Sequence, residues 1–172
     1  MKKLPSDLTE DQRQNIWGLL VKYETIMSTG DHDIGQSDLI EHHIDTGNSR
    51  PIAQEDRYKS AFVTRSGCYR FTVMPFGLTC APSEFQPLMD CVLCGLSYIT
   101  CLVYLDDVIV FGSTFEEELA RLDEVFSQLQ AAKLKLKPSK CSLFQHNVEF
   151  LGHAVSKEGI AMQDEKISAI CD

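Results

Sequence analysis

Residues 101–111 read Cys-Leu-Val-Tyr-Leu-Asp-Asp-Val-Ile-Val-Phe, two apolar, strand-forming runs with the carboxylates of Asp106 and Asp107 between them. Adjacent carboxylates at the edge of a core repel one another and resist desolvation, so a fold keeps such a pair where a cation neutralises it. A hard divalent metal such as Mg²⁺ suits them, because it takes oxygen ligands. The alternative is an ordinary hairpin with Asp-Asp at its turn, since Asp favours turns.

The sequence on either side supplies helices. Upstream, Pro82 and Ser83 open a helix whose apolar positions Phe85, Leu88, Met89, Val92 and Leu93 share one face, with Gly95 stopping it. Pro87 interrupts that helix early, at a cost of about 3 kcal/mol unless it kinks. Downstream, Thr114 and Glu117 cap a helix that turns Phe115, Leu119, Leu122, Phe126 and Leu129 inward, and Glu116 to Glu118 lie at the favourable end of its dipole.

Further out, Ser60 to Thr64 and Tyr69 to Met74 read as strands joined by Arg65-Ser66-Gly67-Cys68. Leu134 to Lys137 alternates as a strand does and, with Lys133 and Lys140, forms the one concentrated basic stretch. Val148 to Val155 reads as a last strand, turned at Lys157-Glu158-Gly159. At the start, Thr9 and Gln12 form a capping box before Ile16, Leu19, Leu20 and Tyr23, which predicts an amphipathic helix over 9–26. Residues 28–56 are polar and read as a linker; their Asp45-Thr46-Gly47 matches an aspartic-protease tripeptide but lacks the apolar flanks that chemistry needs. Hairpins alternating with amphipathic helices give an α+β class, an antiparallel sheet covered by helices.

Composition sets the outer bounds. The 172 residues, 44% apolar and 24% charged, suffice for one globular domain with a core. No apolar run reaches the roughly 20 residues of a membrane span and no secretory signal is seen, so an intracellular protein without a membrane partner is expected. Seven cysteines, mostly in apolar runs, suggest reduced, buried thiols, and Cys91-x-x-Cys94 lacks the second pair a zinc site needs. A net charge of −9 runs against general nucleic-acid binding, which draws its affinity from Lys and Arg.

Taken together, several segments resemble the reverse transcriptase (RNA-directed DNA polymerase) of gypsy-type LTR retrotransposons. Tyr104-Leu105-Asp106-Asp107 resembles that family's Tyr-x-Asp-Asp metal-binding turn in the palm. Phe71 to Leu78, with Ala81-Pro82 and Phe85-Gln86, is similar to the loop and helix lining the nucleotide and template pocket. Leu134 to Phe144 resembles the next palm motif, and Phe150-Leu151-Gly152-His153 the primer grip. Residues 7–52 resemble the segment joining protease to polymerase.

The resemblance implies an N-terminal helix and linker over 1–54 and a partial palm over 55–172. It implies Mg²⁺ or Mn²⁺ on Asp106 and Asp107, with RNA or DNA template-primer as partner. Phe76, Gly77, Gln86 and Tyr104 would face substrate or template, Gly77 because no side chain blocks a base pair. Gln86 is equally open to being solvated. Lys140 is either the proton donor to the leaving pyrophosphate or an ordinary solvated lysine.

The pattern also breaks. The family has fingers strands and a palm strand with another metal-binding Asp before the run resembling Glu55 to Phe62, whereas here Arg50 to Gln54 passes straight into it. Thumb, connection and RNase H motifs are not found either. Two-metal nucleotidyl transfer uses carboxylates from different strands, so the expectation is a weakened site and an inactive isolated chain. The lost strand would leave an open sheet edge, where a partner chain could dock. A non-catalytic nucleic-acid- or protein-binding remnant is the alternative, through that edge or through Lys133 to Lys140.

Overall fold

The computed structural model describes residues 4–30, 33–37, 39, 61–70 and 81–162. Phe76, Gly77, the Asp45-Thr46-Gly47 tripeptide, residues 71–74 and residues 163–172 lie outside them.

The chain begins with α1 (Glu10–Lys22), which the Thr9 hydroxyl and the Gln12 side chain cap reciprocally. The expected helix over 9–26 divides at Tyr23, after which Glu24–Ile26 forms one 3₁₀ turn. Helix α2 (Ala81–Val92) runs through the exposed Pro87 without being broken. Its far end is anchored by the burial of Met89, Val92 and Leu93, which outweighs one forfeited main-chain bond. Helix α3 (Phe115–Ala131) starts at Thr114, whose hydroxyl accepts the Glu117 N–H at 3.2 Å. Glu117 reaches one residue further back than a capping box does, to the Ser113 N–H at 2.7 Å.

The α+β class holds, and the described strands form three separate antiparallel sheets. They are β1 (Ala61–Thr64) with β2 (Gly67–Arg70), β3 (Cys101–Tyr104) with β4 (Asp107–Val110), and β5 (Asn147–Phe150), β6 (His153–Ser156) and β7 (Gly159–Met162) in order. The first hairpin turns tightly on Arg65-Ser66, because Thr64 pairs directly with Gly67. Residues 148–155 are not one strand. Leu151 and Gly152 both take positive φ, 52° and 76°, and make the two-residue turn between β5 and β6.

Leu134 to Lys137 is not a strand either: only Leu136 bridges, to Met27, with its N–H on the Ile26 carbonyl at 2.7 Å. The basic stretch is partly spent within the fold, since the Lys135 ammonium pairs with Asp33 at 3.1 Å and donates to the Thr25 carbonyl.

The core lies where α1, α3 and the end of α2 meet. Ile16, Leu93 and Val125 are essentially inaccessible, and Tyr23 sits edge-on to Phe126 with centroids 5.7 Å apart. Val103, Val108 and Val110 lay the inner face of the β3–β4 hairpin on this core. Gly112 lets the chain pass from β4 into α3, because a Cβ there would meet the Glu118 backbone at 2.7 Å. The cysteines depart from expectation: Cys101 alone is buried among the five described, Cys141 is intermediate, and Cys68, Cys91 and Cys94 are exposed. No described helix is long and apolar enough to cross a membrane.

Candidate functional site

The hairpin that carries the two carboxylates is built by its register. Cys101, Val103, Val108 and Val110 alternate onto the core face, which sends Leu102, Tyr104, Asp107 and Ile109 to the other. Tyr104 pairs with Asp107, so the turn consists of Leu105 and Asp106, and Asp107 is the first residue of β4. The pair therefore spans the junction of turn and strand, Asp106 in the turn and Asp107 in β4. Leu105 takes φ 53°, a left-handed conformation that costs an L residue roughly 1–2 kcal/mol.

A contact from α2 holds Leu105 in that conformation. The Gln86 side-chain oxygen accepts the Leu105 N–H at 2.6 Å, while its amide nitrogen donates to Asp90 at 2.8 Å. Asp90 thus fixes which way the amide points. Gln86, expected to meet template or solvent, braces the tip of the hairpin. Sequence reading gave no signal for this, since the partners are 19 residues apart on different elements.

Asp106 and Asp107 are both exposed, and among the described residues neither carboxylate has an ion-pair or hydrogen-bond partner. The charge pair does not carry the desolvation penalty that its apolar flanks suggest, because the turn lifts it into solvent. Two hard carboxylates at one tip suit a divalent cation. Among the described residues, no group of three or more His, Cys, Asp or Glu stands where it could hold a metal ion. The two carboxylates described at this tip are fewer than a centre that bridges two ions uses.

The other expected residues lie on three elements of the fold, the β3–β4 hairpin, the 3₁₀ turn at Pro138–Lys140 and the β5–β6 hairpin. Tyr104 is 52% exposed, on the face away from the core. Lys140 ends an exposed 3₁₀ turn, Pro138–Lys140, and no hydrogen bond or ion pair joins it to either aspartate. Phe150, Leu151, Gly152 and His153 are the tip of the β5–β6 hairpin, with Phe150 paired to His153 and Leu151 exposed.

Of the two edges of the β3–β4 sheet, that of β3 is covered at Cys101, and that of β4 has no cover among the described residues. Cys101 is covered, its N–H on the Leu96 carbonyl and its carbonyl receiving the Tyr98 N–H. The Phe111 N–H bonds the Thr100 carbonyl, and the alternation this fixes turns the backbone groups of Val108 and Val110 outward. No partner for them occurs among the described residues.

A model of the family "Reverse transcriptase (RNA-dependent DNA polymerase)" matches residues 39–155. The retrovirus-related Pol polyprotein of Drosophila melanogaster transposon 412 is 42% identical over 111 residues, 64% of this chain and 9% of the polyprotein. That of transposon 297 is 43% identical over 117 residues, 68% of this chain and 11% of the polyprotein. That of transposon gypsy is 38% identical over 119 residues, covering 69% and 12%. The chain thus spans about a tenth of the length of these relatives. A foamy viral protease–reverse transcriptase in complex with dsDNA superposes with a TM-score of 0.79 at 15% identity, over 96% of this chain and 55% of that one. The same protein with RNA/DNA hybrid gives 0.77 at 15% identity, over 96% and 36%. At that identity the likeness is one of fold.

Proposed function

We propose that this chain, which belongs to the reverse transcriptase (RNA-dependent DNA polymerase) family, is a palm fragment that keeps one half of a two-metal site and does not polymerise alone. It is similar to retrotransposon Pol polyproteins, and the activity, substrates and partners of such a polyprotein are what the proposal carries over.

The observation that carries the reading is the braced, solvent-facing tip holding Asp106 and Asp107 with no third carboxylate beside it among the described residues. Nucleotidyl transfer by two ions needs carboxylates that bridge both, so a lone pair of aspartates retains cation affinity but loses most of the rate. Mg²⁺ or Mn²⁺ is the cation their oxygens suit, and template-primer the ligand that the tips carrying Tyr104 and Phe150 to His153 would face. Lys140, exposed and with no hydrogen bond or ion pair to either aspartate, reads best as a solvated lysine. Primer extension on an RNA template tests this: the chain should give no templated product, and synthesis abolished by Asp106→Ala would overturn it.

A second reading is favoured by the outward backbone of Val108 and Val110. A partner chain could add a strand to β4 there, which would make the protein a docking module. Binding through the basic stretch has less support, because Lys135 is committed to Asp33.

A further inference from the structure

The end of α2 holds two thiols that the polymerase reading does not use. Cys91 lies in the last turn of the helix, Cys94 two residues beyond it, and both are exposed. Between them, Val92 and Leu93 are buried at 6% and 0% exposure, so the two thiols share the solvent side of one turn whose other side is pinned to the core. The Cys94 N–H bonds the Cys91 carbonyl at 3.3 Å, an i to i+3 bond. In a turn of that kind side chains three apart eclipse one another, and the Cα atoms come within roughly 7 Å. A disulfide needs Cα atoms about 4.4–6.8 Å apart.

We propose that Cys91 and Cys94 form an oxidisable dithiol that a small-molecule disulfide, such as oxidised glutathione, closes into an intramolecular disulfide. One of the two cysteines, as thiolate, attacks a sulfur of the small disulfide, whose S–S bond breaks and releases one thiolate. The second cysteine then attacks the protein sulfur of the mixed disulfide, forming the Cys91–Cys94 bond and expelling the other small thiolate. The two protons lost by the cysteines go to the two departing thiolates. The protein is oxidised by two electrons, and the small disulfide is reduced to two thiols. The bridge would fix the last turn of the helix that carries Gln86.

Cys68, exposed on the β1–β2 hairpin, is the internal control for a thiol without such a neighbour among the described residues. The full chain is incubated with oxidised glutathione, acid-quenched, alkylated and mapped by tandem mass spectrometry. Wild type should show Cys91 linked to Cys94 and glutathione on Cys68. Cys91→Ser and Cys94→Ser should each leave the remaining cysteine as a stable glutathione adduct, with the circular dichroism of wild type showing that the fold is kept. The proposal is overturned if wild-type Cys91 and Cys94 carry separate adducts, bond to other cysteines, or stay reduced while Cys68 reacts.

Discussion

The Gln86 side-chain oxygen receives the Leu105 backbone N–H at 2.6 Å and so ties helix α2 to the tip of the hairpin that presents Asp106 and Asp107. Leu105 is half-buried and strained at φ 53°, so this bond maintains a conformation that the local sequence does not favour. Gln86→Met keeps the volume and removes the acceptor. It should destabilise the fold by about 1 kcal/mol, the net worth of one such bond. A lowered urea midpoint with faster amide exchange at Leu105 checks this; unchanged exchange there would refute the brace.

The β5–β6 turn gives a prediction of the opposite sign. Leu151 and Gly152 both have positive φ, the pattern for which Asn-Gly is the favoured pair. Leu151 is 47% exposed, so little burial is lost on replacing it. Leu151→Asn should stabilise the protein by about 1 kcal/mol, through relief of left-handed strain on a branched residue. A higher melting temperature is expected, and a lower one counts against the turn assignment.

Stability should fall on both sides of a pH optimum, for separate reasons. The His146 ring lowers the Asp7 carboxyl, the Thr29 N–H and then Lys135 lower Asp33, and the Ser113 N–H lowers Glu117. Each has a folded pKa below its unfolded one, so each contributes stability above the ordinary carboxylate range and loses it as pH falls through the lowered value. Glu118 is the reverse, because burial raises it against the pull of the Phe144 N–H. Its contribution is complete below the unfolded value and is lost as pH rises through the raised one. Glu118→Gln should therefore raise the urea midpoint at neutral pH and change little in acid. Equal effects at both pH values would contradict this.

The edge of β4, without a partner among the described residues, predicts association. Val110→Pro removes an outward N–H without touching the bonds to β3, and proline is tolerated on edge strands. Wild type should sediment with concentration-dependent association, and Val110→Pro as a monomer with the hairpin retained. Identical behaviour of the two would rule the edge out as the contact.

Much of this fold is legible in the sequence. Thr9 with Gln12, and Thr114 with the apolar ladder Leu122, Phe126 and Leu129, are local signals, and local signals fix where helices start and which face turns inward. The Asp-Asp hairpin was equally plain, because two strand-like runs bracket it. The strand expected at Leu134 to Lys137 failed because alternation over four residues cannot say whether a partner exists, and only Leu136 finds one. The β5–β6 turn was missed because Leu151 is a poor turn residue, held at positive φ beside Gly152 by the pairing of the strands around it. The apolar neighbours of Asp106 and Asp107 point to a charge pair at the edge of a core, whereas the two-residue turn lifts both into solvent. The Gln86 brace could not be read, since helix α2 and the hairpin tip meet only in the tertiary fold.

The central claim is that Asp106 and Asp107 are half of a metal centre, and Mn²⁺ titration followed by electron paramagnetic resonance tests it most directly. One ion should bind weakly, with a Kd roughly in the millimolar range of sparse carboxylate sites, and be lost in Asp106→Ala and Asp107→Asn. Two tightly bound, spin-coupled ions in the wild-type chain would contradict the account.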